Sequence, residues 1–533
     1  MPIKTMQVPR PNSFRSFPLA VAITVFVVLA GISVVLSSRS TGGRFIYPLD
    51  DTYITMSIAK NFAQSGVWGV TRHEFSSASS TPLFALLLAG CYRLTGANEW
   101  WPLVLSLLSS LLALAAADRW LRPLPNWLRT LGLLAAVLFV PLYVVALTGM
   151  EHCLHIFLSL VFLWLAARGL ETGETDGRLL LLAPVMVLIR FESLFLIGIC
   201  AGLFLVRKRY RFGVGLLLAA GCALAADAAF LLAHGGEWLP NSILMKGVLG
   251  GKGDLLHHIL VVCGRPPALL LAVPHVGVIF LALLAIYVGS RNGTSFWDRR
   301  RVALFISMAA ILAHLEFAQV GWVYRYEAYL LALGDVCIFS ALPSTPLRGR
   351  YSLVFALIGC LAVSVLGYRA WDATGGIRRA SFNIYEQQYQ MARFVSQYYP
   401  TASVAANDIG WIAFASDIRL LDLTGLADQP IFQAKRSGSY TTALMESEQR
   451  RADPEIAIVF DSWFAEHSKA DLGGPSLPPG WARVGRWSIS DNLVQGDSTV
   501  SFYAVRPSGV PKLRASLAAF EPSLPGSVSV LQN

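Results

Sequence analysis

Long apolar segments dominate this chain and restrict it to very few fold classes. Only 14% of its 533 residues are charged, whereas 55% are hydrophobic, and the mean hydropathy is +0.54. A soluble globular domain carries roughly 25% charged residues, and a straight membrane-spanning helix needs roughly 20 predominantly apolar residues. The chain therefore predicts a mainly α-helical, multi-pass membrane bundle.

Apolar segments recur over the first 370 residues and predict about eleven membrane spans. The predicted spans cover residues 18–37, 101–117, 130–147, 154–168, 179–190, 192–206, 213–233, 268–289, 302–318, 326–342 and 351–370. Several of them are shorter than a straight span, so the boundaries carry errors of a few residues.

Loop charge decides how the remaining apolar segment, Pro82–Leu94, is assigned. If this segment stays at the interface, the arginine-rich loops near 119–129, 207–211, 299–301 and 348–350 all lie on the side of the N-terminus. That arrangement obeys the positive-inside rule. We therefore predict a plasma (inner) membrane protein with a cytoplasmic N-terminus, a first external loop over 38–100 and an exported C-terminus. The same bias explains the net charge of +10, and we expect no nucleic-acid partner.

Beyond residue 370 the apolar segments shorten to the length of strands, with turn residues between them. These segments are Ser403–Ala406, Trp411–Ala415, Ile456–Phe460 and Val500–Val505. We predict a membrane domain over 1–370, a small exported α/β domain over 371–508 and a disordered tail over 509–533, which is rich in Ser, Pro and small residues.

An acidic pair, Asp50-Asp51, follows the first apolar segment and is the best indication of chemistry. A carboxylate near the membrane is costly to bury and is by default a sign of function. The apolar residues after the pair have helical spacing, which predicts an amphipathic helix along the membrane surface. An aspartate at this place either caps the helix or takes a proton from a substrate hydroxyl.

The predicted topology collects further charged residues on the same outer face. Its cations, Arg190, Lys246 and Arg325, suit a leaving phosphate, because Arg binds phosphate with two hydrogen bonds and Lys supplies a point charge. Glu151 and Glu192 lie on the same predicted face. The plain alternative for Arg190 and Glu192 is an ion pair that steadies a broken helix.

Short motifs in one shared order connect these residues. They are Asp50–Ile54, Ala59–Ala63, Ser79–Leu83, Thr148–Glu151, Leu188–Glu192, Leu239–Lys246, Asn407–Trp411 and Leu421–Asp428. Together they resemble the type C glycosyltransferase superfamily, whose multi-span members take a sugar from a polyprenyl-phosphate carrier at the outer face. The likeness is greatest to terminal arabinofuranosyltransferases. Ser57 and Phe191 depart from the pattern at places that leave the sugar open.

The resemblance implies a membrane glycosyltransferase that inverts the sugar and delivers it to a cell-envelope glycan or lipid. Asp50 is then the base, Asp51 its support, and Glu151 a second acid at the acceptor or a metal. The other expected roles are phosphate binding by Arg190, Lys246 and Arg325, and substrate binding by Glu192, Asn241 and Tyr53.

The sequence leaves the cofactor and two other functions open. A divalent cation held by Asp51 and Glu151 would suit carboxylate ligands, whereas His152 and His155 lack a visible third ligand. The alternatives are a transporter or flippase of lipid-linked sugars and a non-catalytic glycan-binding membrane protein. The chain has no GxxxxGK(S/T) motif, which fits a lipid-linked donor better than a nucleotide sugar.

Overall fold

A computed structural model of the chain describes residues 13–246, 265–290, 295–342, 350–464 and 473–531. Its first part is a helical bundle. The helices are α1 (Ser13–Ser40), α2 (Asp50–Ser65), α3 (Pro82–Thr95), α4 (Trp101–Leu121), α5 (Asn126–Leu138), α6 (Leu142–Leu147), α7 (His152–Thr172), α8 (Arg178–Ile189), α9 (Ser193–Val206), α10 (Tyr210–Ala233), α11 (Asn241–Lys246), α12 (Arg265–Ala272), α13 (Pro274–Gly289), α14 (Arg299–Phe317), α15 (Ala328–Ala341) and α16 (Arg350–Glu386).

Six helices of the described ranges are long and apolar enough to cross a membrane, or seven if the sharply bent pair α12–α13 is one span. The six are Ser16–Ser40, Trp101–Leu121, Asn126–Leu147, His152–Thr172, Tyr210–Ala233 and Ser352–Tyr398. The mainly helical class is confirmed, but the number of about eleven is wrong. Apolar composition does not show where a helix stops: α8 has 12 residues, and α9 and α15 have 14 each. At about 1.5 Å per residue these helices are shorter than the roughly 30 Å hydrocarbon layer.

A small α/β unit follows the bundle. Its helices are α17 (Gln388–Tyr398), α18 (Gly410–Ala415), α19 (Gln429–Ser437), α20 (Thr442–Ala452) and α21 (Val510–Phe520), and its strands are β1 (Ser403–Ala406), β2 (Arg419–Asp422), β3 (Ile456–Val459), β4 (Ala482–Ile489), β5 (Thr499–Ala504) and β6 (Val528–Leu531). The six strands form one sheet in the order β2-β1-β3-β5-β4-β6. The strands β2, β1 and β3 are parallel, and the β3–β5, β5–β4 and β4–β6 pairs are antiparallel.

Two expectations for this unit are corrected. Residues 509–533 were expected to be disordered, but α21 packs its buried Leu513 and Phe520 against the sheet, and β6 pairs with β4. The apolar run Trp411–Ala415, expected as a strand, lies in helix α18. A five-residue apolar run does not distinguish the two, and a distant carboxylate described below caps this helix. The division into 1–370 and 371–508 stays a prediction, and α16 runs through that boundary.

Helix α2 lies between the bundle and the α/β unit. Its Tyr53 and Met56 belong to the core of the bundle, whereas its Ile54 and Ile58 belong to the core that the sheet shares. The sequence predicted an amphipathic helix lying on the membrane surface, yet both faces of α2 pack against protein. The helix therefore holds the two parts together, and whatever stands at its N-terminus is fixed by both.

Candidate active site

A cavity of about 480 Å³ opens beside the N-terminus of α2. Its lining combines polar and apolar side chains. The polar lining includes Asp51, Ser79, Ser80, Thr81, Arg190, Glu192, Gln319, Arg325 and Tyr326, and the apolar lining includes Leu194, Phe195, Leu224, Leu239, Ile243 and Phe317. Leu426 of the α/β unit also lines the cavity. The cavity can therefore hold a molecule with a charged head and a hydrocarbon chain.

The two adjacent aspartates point in different directions, because successive residues of an α-helix are offset by about 100°. Asp51 lines the cavity, and its side chain is 35% exposed. Asp50 is absent from the described lining, is only 8% exposed and accepts hydrogen bonds from the backbone N–H groups of Gly410 (2.6 Å) and Trp411 (2.9 Å). The expectation that Asp50 is the base stays a prediction, and in the structure its carboxylate caps α18 across 360 residues of sequence.

Asp408 stands beside the buried Asp50 and is itself half-buried. Burial raises the pKa of Asp50 despite the N–H groups it accepts, and burial together with the neighbouring Asp50 carboxyl raises the pKa of Asp408 well above its usual range. Two acids this close favour a shared proton. Gln388 donates to Asp408 as well. The sequence motif Asn407–Trp411 contained Asp408, but only the fold shows which residue it faces.

Arg325 connects Asp51 of the cavity to Met150 of the bundle. Its Nη2 lies 2.5 Å from Oδ2 of Asp51, and its Nη1 lies 2.5 Å from the sulfur of Met150. Its guanidinium also lies 4.9 Å from the centre of the Tyr326 ring. With only 1% of the side chain exposed, Arg325 is held in place and meets a ligand through one edge.

Arg190 is the second cation of the polar lining. Its Nη1 donates to Glu151 at 2.7 Å and its Nε donates to Glu192 at 3.0 Å. Glu192 lines the cavity, whereas Glu151 is fully buried behind Arg190. The ion pair predicted as the plain alternative for Arg190 and Glu192 is thus present, and it stands in the wall of the cavity.

The turn before Arg325 is strained and tied down. Trp322, Val323 and Tyr324 have φ values of 46°, 57° and 63°, a left-handed run that is costly for residues with a side chain, at about 1–3 kcal/mol each. Glu327 accepts the Gly321 N–H at 2.8 Å and pairs with Arg369 and His275. Arg369 also donates to the Tyr324 carbonyl at 3.0 Å. Sequence reasoning missed Arg369 and His275, since nothing in their local sequence connects them with this turn.

Another turn brings Met150 and Glu151 to the site. Gly149 has a φ of 65°, and a Cβ at this position would overlap the ring of Tyr47. The Thr52 hydroxyl donates to the Thr148 carbonyl at 2.8 Å, which fastens the turn to α2. The glycine of the Thr148–Glu151 motif is therefore required by the close approach of an aromatic ring.

Two predicted substrate-binding residues are absent from the described lining. Tyr53 is fully buried, stacks on Trp411 at 4.1 Å, and accepts the Tyr47 N–H at 2.9 Å. Asn241 is 1% exposed and donates to the carbonyls of Gly425 and Leu426 at 3.3 Å. Both residues contact the α/β unit, and their role in substrate binding stays a prediction.

Lys246 is the last residue of α11, and its side chain lies outside the described residues. The metal hypothesis finds a poor ligand set. Asp51 is paired with Arg325 and Glu151 with Arg190. Within the described ranges no group of three or more His, Cys, Asp and Glu is placed to hold an ion. These residues do not fit a divalent cation.

The fold has a counterpart among solved structures. It is similar to the crystal structure of ArnT from Cupriavidus metallidurans bound to undecaprenyl phosphate, over 93% of this chain and 99% of that one, at 12% identity and a TM-score of 0.52. The chain therefore shares the overall fold of that structure. An oligosaccharyltransferase of Archaeoglobus fulgidus, in complex with zinc and sulfate, covers 94% of this chain and 74% of its own at 12% identity, but its TM-score of 0.44 carries no argument.

Sequence comparisons add little to this. Residues 380–503 match a family model described as a domain of unknown function, DUF8728. That match covers most of the α/β unit and part of α16, and of the described cavity lining it includes only Leu426. No curated protein matches the chain.

Proposed function

We propose that the chain is a membrane glycosyltransferase that moves a sugar from a polyprenyl-phosphate carrier to a glycan or lipid acceptor. The observation that carries the proposal is the cavity, whose lining combines the charged Asp51, Arg190 and Arg325 with apolar side chains. A phosphate with a prenyl chain has the same two parts. The fold is also that of ArnT, which was crystallised with undecaprenyl phosphate.

In this proposal Asp51 is the base. It takes the proton of the acceptor hydroxyl while that oxygen attacks the anomeric carbon of the sugar. The bond from the anomeric carbon to the phosphate oxygen breaks, and its electron pair leaves with the carrier phosphate. Attack from the face opposite the phosphate inverts the configuration, and no other reactant is required.

The charges of the polar lining suggest how Asp51 becomes available to act as a base. In the cavity wall Asp51 and Glu192 balance Arg190 and Arg325, so an incoming phosphate must compete for an arginine. A phosphate that competes for Arg325 weakens the pairing of this arginine with Asp51 and makes the carboxylate more basic. Arg325 then stabilises the charge that develops on the leaving phosphate. Lys246 is our candidate for a further cation.

The proposal includes an orientation and a donor class. The arginine-rich loops favour a cytoplasmic N-terminus, which places the cavity and the α/β unit at the outer face of the plasma membrane. The motif likeness to terminal arabinofuranosyltransferases makes a pentosyl donor the first choice, with hexosyl donors next. The α/β unit contributes Leu426 to the cavity wall, so we propose that it helps to bind the acceptor.

The test is a transfer assay with the purified full-length protein in nanodiscs. Radiolabelled polyprenyl-phosphate pentoses and hexoses are offered together with cell-envelope extracts as acceptor. We expect transfer from one donor, and we expect Asp51→Asn to reduce it at least about 100-fold, because a general base contributes roughly 10²–10⁴. Arg325→Lys should also reduce transfer, since it keeps the charge but loses the planar grip on phosphate.

Asp417→Asn is the matched control. Asp417 is 33% exposed and pairs with an arginine, as Asp51 does at 35%, but it lies outside the described cavity lining. Equal transfer by the Asp51 and Asp417 variants would contradict the role of Asp51. Movement of the labelled carrier across the membrane without transfer would favour a flippase, and binding of glycan with neither would favour a glycan-binding protein.

A further inference from the structure

A second cavity lies at the opposite end of the bundle from the candidate active site. It has a volume of about 430 Å³ and is formed by α4, α7 and α8. Its lining is Ala116, Arg119, Leu160, Val161, Trp164, Leu165, Arg178, Leu181 and Leu182. On α7, Trp164 is twelve residues beyond His152, which at about 1.5 Å per residue is roughly 18 Å from the active-site end.

The lining combines arginines with an aromatic ring. The guanidinium of Arg119 lies 4.5 Å from the centre of the Trp164 ring, and that of Arg168 lies 5.7 Å from the same ring. Trp is typical of the level where a bilayer meets water. Arginines at that level, next to a ring, are placed to meet a lipid headgroup.

The charge balance at this cavity is positive. No Asp or Glu is among its described lining residues. Acids close in sequence are engaged: Asp118 pairs with the buried Arg129 and with Arg122, Asp176 pairs with Arg178, and Glu171 accepts the Arg299 N–H. Arg119 of the lining, and Arg168, which is not among the described lining residues, therefore leave an excess of positive charge beside Trp164, which a negatively charged group would offset.

The rest of the lining is hydrocarbon. Leu160, Val161 and Leu165 of α7 and Leu181 and Leu182 of α8 supply apolar walls. A free phosphate ion would pair with the arginines but make no contact with these apolar walls. A neutral lipid would contact the walls but leave the positive charge unbalanced. An anionic phospholipid satisfies both.

We propose that this cavity binds one anionic phospholipid from the leaflet on the side of the N-terminus. Its phosphate lies at Arg119 and Arg168, and an acyl chain lies along the leucines of α7 and α8. The site is separate from the proposed donor cavity, so its lipid is a structural or regulatory ligand and takes no part in the transfer.

The experiment measures lipid binding to the purified full chain. Native mass spectrometry counts phosphatidylglycerol and phosphatidylcholine of equal chain length that stay bound, with titrations giving apparent affinities. We expect one tightly bound phosphatidylglycerol, with a loss of about fivefold in apparent affinity for Arg119→Gln and about 25-fold when Arg168→Gln is added, because a basic residue near a membrane surface contributes about this factor. Glycerol phosphate, which lacks acyl chains, should compete poorly.

Arg211→Gln is the control, since Arg211 is an exposed arginine beyond the described lining of this cavity and on the side that the loop charges assign to the N-terminus. Unchanged phosphatidylglycerol affinity in the double variant would overturn the proposal, as would an equal loss in the Arg211 variant or equal retention of phosphatidylcholine. Size-exclusion chromatography and helical circular dichroism confirm that each variant is folded. Arg119→Lys, which keeps the charge, should retain most of the binding if the double variant unfolds; its failure to bind would also overturn the proposal.

Discussion

Replacing Asp50 tests whether this carboxylate is a structural link or the base. Its two oxygens accept the Gly410 and Trp411 N–H groups, which stand at the start of α18. The first N–H groups of a helix have no partner within the helix. The protection of these two amides from hydrogen exchange therefore reports the Asp50 contact directly.

The magnitude follows from the number of amides that lose their partner. A buried donor left unsatisfied costs about 1–3 kcal/mol. Asp50→Ala removes the partner of both amides and should cost about 2–6 kcal/mol. Asp50→Asn keeps one accepting oxygen and places an amide beside Asp408, so it should cost about 1–3 kcal/mol. That range corresponds to an increase in local opening of about 5- to 150-fold for Asn.

Hydrogen exchange followed by mass spectrometry, on a peptide covering α18, measures this opening. We expect the α18 peptide to exchange fastest in Asp50→Ala, more slowly in Asp50→Asn and slowest in the wild type, while peptides from α4 and α7 exchange at the same rate in all three. Asp51→Asn is the matched variant, because it removes one charge from the neighbouring residue of α2. It should leave exchange in α18 unchanged and abolish transfer.

One result would refute the assignment. If Asp50→Asn stopped glycosyl transfer while exchange in α18 stayed at the wild-type rate, Asp50 would act on the substrate, as the resemblance to the superfamily first implied. If Asp50→Asn changed both, transfer should recover in part at lower temperature, where docking of the α/β unit is restored. We expect no recovery of transfer by Asp51→Asn at the lower temperature.

Three further predictions concern the same links. Because burial raises the pKa of Asp50 and Asp408 above 3.8, the folded state holds more protons than the unfolded state, so docking should weaken as pH rises through the raised pKa values. Limited proteolysis from about pH 4 to pH 8 measures this, and Asp408→Asn should flatten it. Gly410→Ala should loosen α18, since its Cβ would overlap Asp50; hydrogen exchange would show it. Glu151→Gln should lower the thermal midpoint, because breaking a buried pair with Arg190 costs about 3 kcal/mol.

The sequence showed which residues matter better than it showed what they touch. The motifs located Asp51, Arg190 and Glu192, the predicted outer face added Arg325, and the fold brings all four to one cavity. Composition gave the helical class, but it could not give the number of spans, since a run of apolar residues does not show where a helix ends or bends. Tyr53 was misplaced for a similar reason, because its burial depends on Trp411, which is 358 residues away.

The sequence predicted Asp50 as the base, whereas we propose Asp51, because adjacency in sequence does not show in which direction each side chain points. A helix turns by about 100° between neighbours, so one aspartate must face away when the other faces the cavity. The contact of Asp50 with Gly410 and Trp411 fixes the rotation of α2 about its own axis, and that rotation aims Asp51 at Arg325. The α/β unit therefore bears on the candidate active site through the residue next to the proposed base. A variant that loosens this contact should affect transfer through the position of Asp51, and its loss of activity should follow its loss of protection in α18.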